Sequence, residues 1–251
     1  LISGGADSTA RATVSANGGQ KYFVKHGDWV EDVTFGPDDS WYATASDDNF
    51  VRILDTQTGQ ERLRLAHTNF VTKVRVSRDG QWIATTGYDD TVRIWDTVTG
   101  AEVMQIPIDT IGADIRFSRD STRLIVGDQG GNITLWDISS LKARTGFIQF
   151  PEFLQEAHFS PNGEWMIVNS DDRNIWLIKS GELGNADANR QKLITSGGLT
   201  TRMVISADSK WIAAVEYDGN GNNADYNRVI VASVEGKKKY LLSHDGDLID
   251  A

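Results

Sequence analysis

The 251-residue sequence contains no cysteine, which excludes disulfide bonds and thiolate metal sites. This absence suits a reducing compartment, and we expect the protein to be cytoplasmic. No apolar run approaches the ~20 residues that a membrane-crossing helix needs, so no membrane partner is predicted. Basic residues are also few, with 25 Lys and Arg against 35 Asp and Glu and a formal net charge of −10. Binding to a phosphate backbone depends on clustered Lys and Arg, so this balance argues against a nucleic-acid partner.

A sequence pattern of roughly 40 residues recurs along the chain. In register, five apolar residues occupy one position at intervals of 41, 41, 42 and 46 residues: Phe35, Val76, Phe117, Phe159 and Ile205. A fixed period in this range is typical of repeat proteins, in which each unit packs against its neighbours. We predict a single domain over residues 1–251. Its repeats are 1–25 (partial), 26–66, 67–108, 109–150, 151–196, 197–242 and 243–251 (partial).

Each repeat predicts four short strands joined by tight turns. In 67–108, the runs 71–76, 82–86, 91–95 and 102–106 are rich in strand-forming residues, and turn-forming Gly, Asp and Thr separate them. No apolar stripe of helical period interrupts this pattern, so an all-β fold of four-stranded antiparallel sheets is predicted. Because apolar residues fall on both faces, the sheets should pack face to face around an axis as the blades of a β-propeller. About six blades are present, either as a six-bladed ring or as a piece of a seven-bladed or longer array.

Several motifs recur in register through nearly the whole chain. A His opens two repeats at His26 and His67, and the turn at 159–163 reads Phe-Ser-Pro-Asn-Gly. Ser-Asp-Asp follows at 46–48, and Trp-Asp ends a third strand at 95–96 and 136–137. With these motifs the chain resembles the WD-repeat (WD40) β-propellers, with repeats similar to those of bacterial members. The resemblance implies a non-enzymatic scaffold or sensor that binds a protein or peptide and uses no cofactor.

The resemblance also implies a buried hydrogen-bond network of His, Asp, Ser or Thr, and Trp. Its candidate members are His26, Ser46, Asp48, His67, Asp89, Trp95 and Trp136. We expect the network to be incomplete, because Leu54, Gly87 and Gly130 stand where the motif has Trp, Ser and Asp. Since the His residues and the acid pairs recur in register, internal bonds and turns explain them better than metal binding or catalysis. No catalytic residue is predicted.

One segment breaks the period at 218–225. Its oxygen-bearing side chains are spaced as in a calcium-binding loop: Asp218, Asn220, Asn222 and Asp225. The Gly expected next is missing, and Val229 stands where that loop needs a Glu. A Gly- and Asn-rich hairpin tip is therefore favoured, with calcium as the alternative.

Large apolar residues precede each predicted innermost strand. Two interpretations remain open: each side chain packs against the next blade, or together with nearby polar residues they form a recognition face. The candidate partner-binding rim comprises Trp29, Glu31, Asp47, Phe70, Tyr88, Ile111, Gln129, Phe153, Asp171 and Leu199.

Two other functions compete with a binding module. A structural or oligomerisation unit would need no exposed rim, and a metal-dependent hydrolase would need inward-facing ligands. The positions predicted to line a channel form a poor ligand set: Glu31, Thr72, Ala113, Gln155 and Thr201. Because the chain begins and ends within a repeat, we expect it to be part of a larger bacterial signalling protein, whose other domains are possible partners.

Overall fold

A computed structural model of the chain describes residues 1–13, 19–139, 143–150, 152–180, 190–195, 199–217 and 228–243. All regular secondary structure in these ranges is β-strand, which confirms the all-β prediction. The candidate calcium loop of Asp218, Asn220, Asn222 and Asp225 lies outside the described residues, as does the side chain of Leu199.

The strands form six sheets, numbered here in chain order. Sheet 1 contains β1 (Ile2–Gly4), β2 (Thr9–Thr13) and β3 (Gln20–Lys25); sheet 2 contains β4 (Val30–Phe35), β5 (Trp41–Ser46), β6 (Phe50–Asp55) and β7 (Glu61–Ala66); sheet 3 contains β8 (Val71–Val76), β9 (Trp82–Gly87), β10 (Thr91–Asp96) and β11 (Glu102–Pro107). Sheet 4 contains β12 (Gly112–Phe117), β13 (Arg123–Asp128), β14 (Asn132–Asp137) and β15 (Ala143–Gln149); sheet 5 contains β16 (Leu154–Phe159), β17 (Trp165–Ser170), β18 (Asn174–Lys179) and β19 (Arg190–Thr195); sheet 6 contains β20 (Leu199–Ile205), β21 (Trp211–Tyr217), β22 (Arg228–Ser233) and β23 (Lys239–Ser243).

Within every sheet the strands lie side by side in chain order, three in sheet 1 and four in each of the others. The strand pairs are antiparallel, as tight turns between consecutive strands require. Six such sheets form the pattern expected of a propeller with about six blades. The predicted four-stranded antiparallel unit is confirmed.

The chain divides into two compact units. The first comprises Leu1–Val126 and Ile138–Leu141, and the second comprises Gly127–Asp137 and Lys142–Ala251. Sheets 1, 2 and 3 lie in the first unit, and sheets 5 and 6 lie in the second.

Consecutive sheets bury apolar side chains against each other inside each unit. In the first unit, the small residues Ala43 and Ala45 of sheet 2 share a core with Ile83 and Trp95 of sheet 3. Small residues on one face therefore make room for large ones on the next. In the second unit, residues of sheets 5 and 6 form the equivalent core: Ile167, Ile175, Leu177, Ile194, Met203, Ile212, Ala214, Ile230, Ala232 and Val234. Each sheet is thus stabilised by its neighbour, as the repeat period predicts.

A register shift recurs between the first and second strands of several sheets, and it aims a carboxylate at the next sheet. In sheet 2 the shift lies between Val30 and Asp32, and Asp32 accepts a hydrogen bond of 3.1 Å from the backbone N–H of Val74 in sheet 3. In the second unit the shift precedes Glu156, which accepts a bond of 3.0 Å from the N–H of Met203. A bulge bends its strand and redirects a side chain. Here the redirected carboxylate accepts a hydrogen bond that joins the first strands of two adjacent sheets.

Candidate functional site

In sheets 2, 3 and 5, two predicted rim residues are joined at one end of the sheet. The residue before the first strand accepts a backbone hydrogen bond from the residue after the second strand. Asp47 donates to Trp29, Tyr88 to Phe70 and Asp171 to Phe153, each at 2.9 Å. The backbone of the rim is therefore held by the same ladder that forms the sheet, so its side chains project from a rigid base.

The aromatic rim side chains are exposed to solvent. The exposed fraction is 52% for Trp29, 41% for Phe70, 46% for Tyr88 and 58% for Phe153. The rings of Phe70 and Tyr88 meet edge to face, with centroids 5.9 Å apart. By contrast Ile111 is partly buried. Exposure of four aromatic rings favours the recognition interpretation over complete burial against the next sheet.

Gly87 lies against the backbone of the sheet 3 rim. A Cβ atom at this position would lie 1.9 Å from the carbonyl oxygen of Phe70. The end of β9 therefore passes so close to Phe70 that no side chain fits. This close approach is particular to sheet 3, because Ser46 and Ser170 hold the equivalent position beside the same rim bond in sheets 2 and 5.

The polar rim residues differ in how their charges are compensated. Asp171 accepts a hydrogen bond of 2.6 Å from the side-chain amide of Gln155. For Asp47, burial and then the charges of Glu31, Asp28 and Asp48 raise the pKa above its ordinary value. Glu31 and Gln129 are exposed. At the same rim position, the acid of sheet 5 accepts a hydrogen bond from a side chain, whereas the acid of sheet 2 is surrounded by other acids.

The complete hydrogen-bond network lies in sheet 3. The indole N–H of Trp95 donates to the hydroxyl of Thr85 at 2.8 Å, and that hydroxyl lies 2.7 Å from His67 Nε2. His67 Nδ1 lies 2.9 Å from a carboxylate oxygen of Asp89. Because the carboxylate only accepts, Nδ1 carries a proton and donates to Asp89. The hydroxyl group of this network therefore comes from Thr85, two residues before the position that the motif indicates.

Asp89 stays ionised at the buried end of this chain of bonds. Burial alone would raise the pKa of Asp89, but hydrogen bonds and charge from His67, with bonds from Thr91 and the N–H of Thr68, outweigh it and hold the pKa far below its usual range. Arg93 adds an ion pair of 3.0 Å to the same carboxylate. The Asp89 carboxylate is therefore stabilised in its charged form by several partners within the same sheet.

In sheet 2 an arginine replaces the missing tryptophan as the connecting group. Arg52 donates to His26 Nδ1 at 2.7 Å and pairs with Asp48, also at 2.7 Å. Burial and then the Arg52 charge lower the pKa of His26 to about 4. The hydroxyl of Ser46 donates to the carbonyl oxygen of Asp28 at 3.1 Å and accepts from the backbone N–H of Asp48 at 3.2 Å.

Sequence reasoning missed both arginines of these networks, although a signal was available. Arg52 and Arg93 each stand four residues after the network Asp, at equal positions in their repeats. Trp136, a predicted network member, donates to Thr134 on its own strand at 2.9 Å. In sheet 5 the indole of Trp176 donates to Asp172 at 2.9 Å, a bond that the Trp-Asp motif does not indicate.

Neither a metal centre nor a membrane span is found in the described part of the chain. Over these ranges, no three or more His, Cys, Asp or Glu side chains are grouped so that they could hold a metal ion. The same ranges contain no helix with the length and hydrophobicity that crossing a bilayer requires.

The comparison with family models agrees with this geometry. Residues 19–55 and 59–96 match the family described as WD domain, G-beta repeat, so two repeats of this kind run from β3 to β10. The matched segments cover less than a third of the chain, and they include the complete network of sheet 3. The match supports the resemblance to WD40 proteins. No curated protein matches the chain.

Proposed function

We propose that this chain is a non-enzymatic interaction module that binds a protein or peptide through its rim. The observation that carries the proposal is the exposure of aromatic rings at one repeated position, each on a backbone held by the sheet. In the first unit the proposed contacts centre on Trp29, Phe70 and Tyr88. Exposed Trp and Tyr side chains dominate the free energy of many protein interfaces, because they bury much area at low entropic cost.

The polar members of the rim are proposed to set specificity rather than affinity. In the first unit, Glu31 and Asp47 add charge near Trp29, as in the polar margin of an interface, and the exposed Gln129 is proposed as a polar contact of the second unit. The second unit carries the equivalent pair Phe153 and Asp171, which we propose as a contact in its own right. Ile111 and Leu199 complete the proposed set.

The family match supports this assignment, since WD40 repeats generally act as protein-interaction scaffolds. We further propose that the module serves as the scaffold or sensor part of a larger bacterial signalling protein in the cytoplasm. The regular, Trp-containing repeats favour this context. A partner domain within the same parent protein would fit it equally well.

The proposal is tested by affinity capture with the purified module, followed by reconstitution with the captured protein in purified form. The double variant Trp29→Ala/Phe70→Ala removes two exposed rings. The control variant Phe23→Ala/Val98→Ala removes two exposed apolar side chains outside the rim. We expect the rim variant to lose at least about tenfold in affinity for the purified partner, and the control to bind as the wild type does. Equal binding by both variants would contradict the proposal.

A further inference from the structure

We infer that the corner of the rim around Trp29 binds a lysine or arginine side chain in a basic segment of the partner. This inference rests on the proposed function and specifies the chemistry of its ligand. The acidic corner, as we call it, consists of Trp29, Asp28, Glu31 and Asp47. It lies within the first unit, at the start of β4.

The corner is preformed by hydrogen bonds. The backbone N–H of Trp29 donates to the Asp28 carboxylate at 2.8 Å, and the carbonyl oxygen of Trp29 accepts from the N–H of Asp47 at 2.9 Å. Glu31 follows two residues later and is exposed. Trp29, whose side chain is half exposed, is therefore bonded through its backbone to two of these acidic residues and lies two residues from the third. An aromatic face flanked by carboxylates is the arrangement that attracts an ammonium or guanidinium group.

The negative charge of this corner is not neutralised from within the described residues. None of the carboxylates of Asp28, Glu31 and Asp47 forms an ion pair there. The raised pKa of Asp47 reflects burial and then the charges of Glu31, Asp28 and Asp48. Bringing a cation to the corner would replace this repulsion with attraction.

The same position in other sheets shows that the repeat does not require this charge. In sheet 5, Gln155 stands in place of Glu31 and donates to Asp171 at 2.6 Å. In sheet 3 the equivalents of Glu31 and Asp47 are the neutral Thr72 and Tyr88. Sheets 5 and 3 thus avoid repulsion between acids at this rim position, the first by a hydrogen bond and the second by neutral residues. Sheet 2 has acids that repel each other, which indicates that the uncompensated acids serve a ligand rather than the fold.

The occupant that fits is a basic segment, because its charge complements the corner and an acidic protein attracts it over a distance. The neighbouring sheet supports an extended contact. Phe70 precedes β8, the strand whose Val74 is bonded to Asp32 of β4, and it offers an uncharged aromatic surface to residues beside the cation.

The test uses a decapeptide of Gly and Ser with two central arginines, and the same peptide with neutral citrulline in place of arginine. The signal is the indole N–H resonance of Trp29 in a proton–nitrogen correlation spectrum, assigned with Trp29→Phe among the eight tryptophans. We expect the arginine peptide to shift this resonance and the citrulline peptide to bind about tenfold more weakly. Glu31→Gln and Asp47→Asn should each weaken arginine binding about threefold.

The matched control is Glu152→Gln, which removes an exposed carboxylate at the position of Asp28 in sheet 5. It should bind the arginine peptide as the wild type does. If the arginine and citrulline peptides bound equally well, or if Glu152→Gln weakened arginine binding as much as Glu31→Gln does, the binding would be general electrostatic attraction to an acidic protein. Either result would overturn the inference.

The purified natural partner separates this inference from the proposed function. If Trp29→Ala/Phe70→Ala loses the partner but Glu31→Gln/Asp47→Asn keeps it unchanged, the rim binds a partner and the basic-segment inference falls. If both double variants keep the partner, both proposals fall. If both double variants lose the partner, both proposals are supported.

Discussion

Thr85 and Trp95 are joined by a hydrogen bond of 2.8 Å that crosses from β9 to β10 inside sheet 3. The neighbouring sheet has the same threonine, Thr44, but Leu54 replaces the tryptophan and packs in an apolar cluster with Tyr42. At this one position, sheet 3 therefore has a buried hydrogen bond where sheet 2 has an apolar contact. Sheet 2 can therefore serve as an internal control when the contribution of the sheet 3 network to stability is measured.

We predict that Thr85→Val destabilises the protein by about 2–4 kcal/mol, because it leaves the indole N–H of Trp95 and Nε2 of His67 buried without partners. Thr44→Val should cost less than about 1 kcal/mol, since the Thr44 hydroxyl makes a single long bond of 3.5 Å to the carbonyl oxygen of Arg52. Unfolding in urea, followed by tryptophan fluorescence, measures both. Equal effects of the two substitutions would show that the network adds no stability.

The low pKa of His26 predicts a loss of stability in acid. Above pH ~6.5 the ring is neutral in both states. As the pH falls, the unfolded chain takes up a proton at its ordinary pKa, while the folded protein resists until about pH 4. Stability therefore falls through this window, by up to about 3 kcal/mol for this residue.

The variant His26→Gln removes this titration and keeps an acceptor for Arg52. The difference in unfolding free energy between wild type and variant should shrink steadily from pH 7 to pH 4. A difference that stays constant over this range would contradict the assigned pKa.

Two glycines should respond very differently to alanine. At Gly87 a Cβ would lie 1.9 Å from the Phe70 carbonyl oxygen, so Gly87→Ala must push β8 and β9 apart and should cost at least about 3 kcal/mol. At Gly163 no atom lies within 4 Å of the added Cβ, and only the positive φ of 73° opposes the change, at about 1–2 kcal/mol. Chemical denaturation of both variants decides the comparison. A cost for Gly163→Ala that reaches that of Gly87→Ala would be inconsistent with this steric account.

Asp47→Asn should stabilise the protein at neutral pH. The pKa of Asp47 is raised in the folded state, so ionisation opposes folding above that pKa and the penalty disappears as the pH falls through it. We expect the melting temperature to rise by about 2 °C at pH 7 and to equal that of the wild type in mild acid. Asp171→Asn is the control, because Gln155 already satisfies that carboxylate. A lower melting temperature for Asp47→Asn would contradict the repulsion.

Strand positions could be predicted from the sequence, whereas the bonding partners in the interior could not. Residues 85 and 87 lie two apart on β9 and so lie on the same face. The motif places the hydroxyl of the network at position 87, where this chain has Gly, so Thr85 is the available hydroxyl on that face. Its bonds to His67 and Trp95 depend on distances between strands, which the sequence of one repeat does not show.

The period of about 41 residues and the alternation within each repeat determined on their own that the chain is all-β and built from four-stranded antiparallel sheets, because both depend on local propensity and side-chain direction. The tertiary structure alone decided that Arg52 bonds to His26, that Thr85 completes the network, and that Asp47 lies among uncompensated acids while Asp171 has a partner. These outcomes depend on distances between strands and on the electric field of neighbouring side chains, and residues of the same type at the same repeat position meet different surroundings in different sheets.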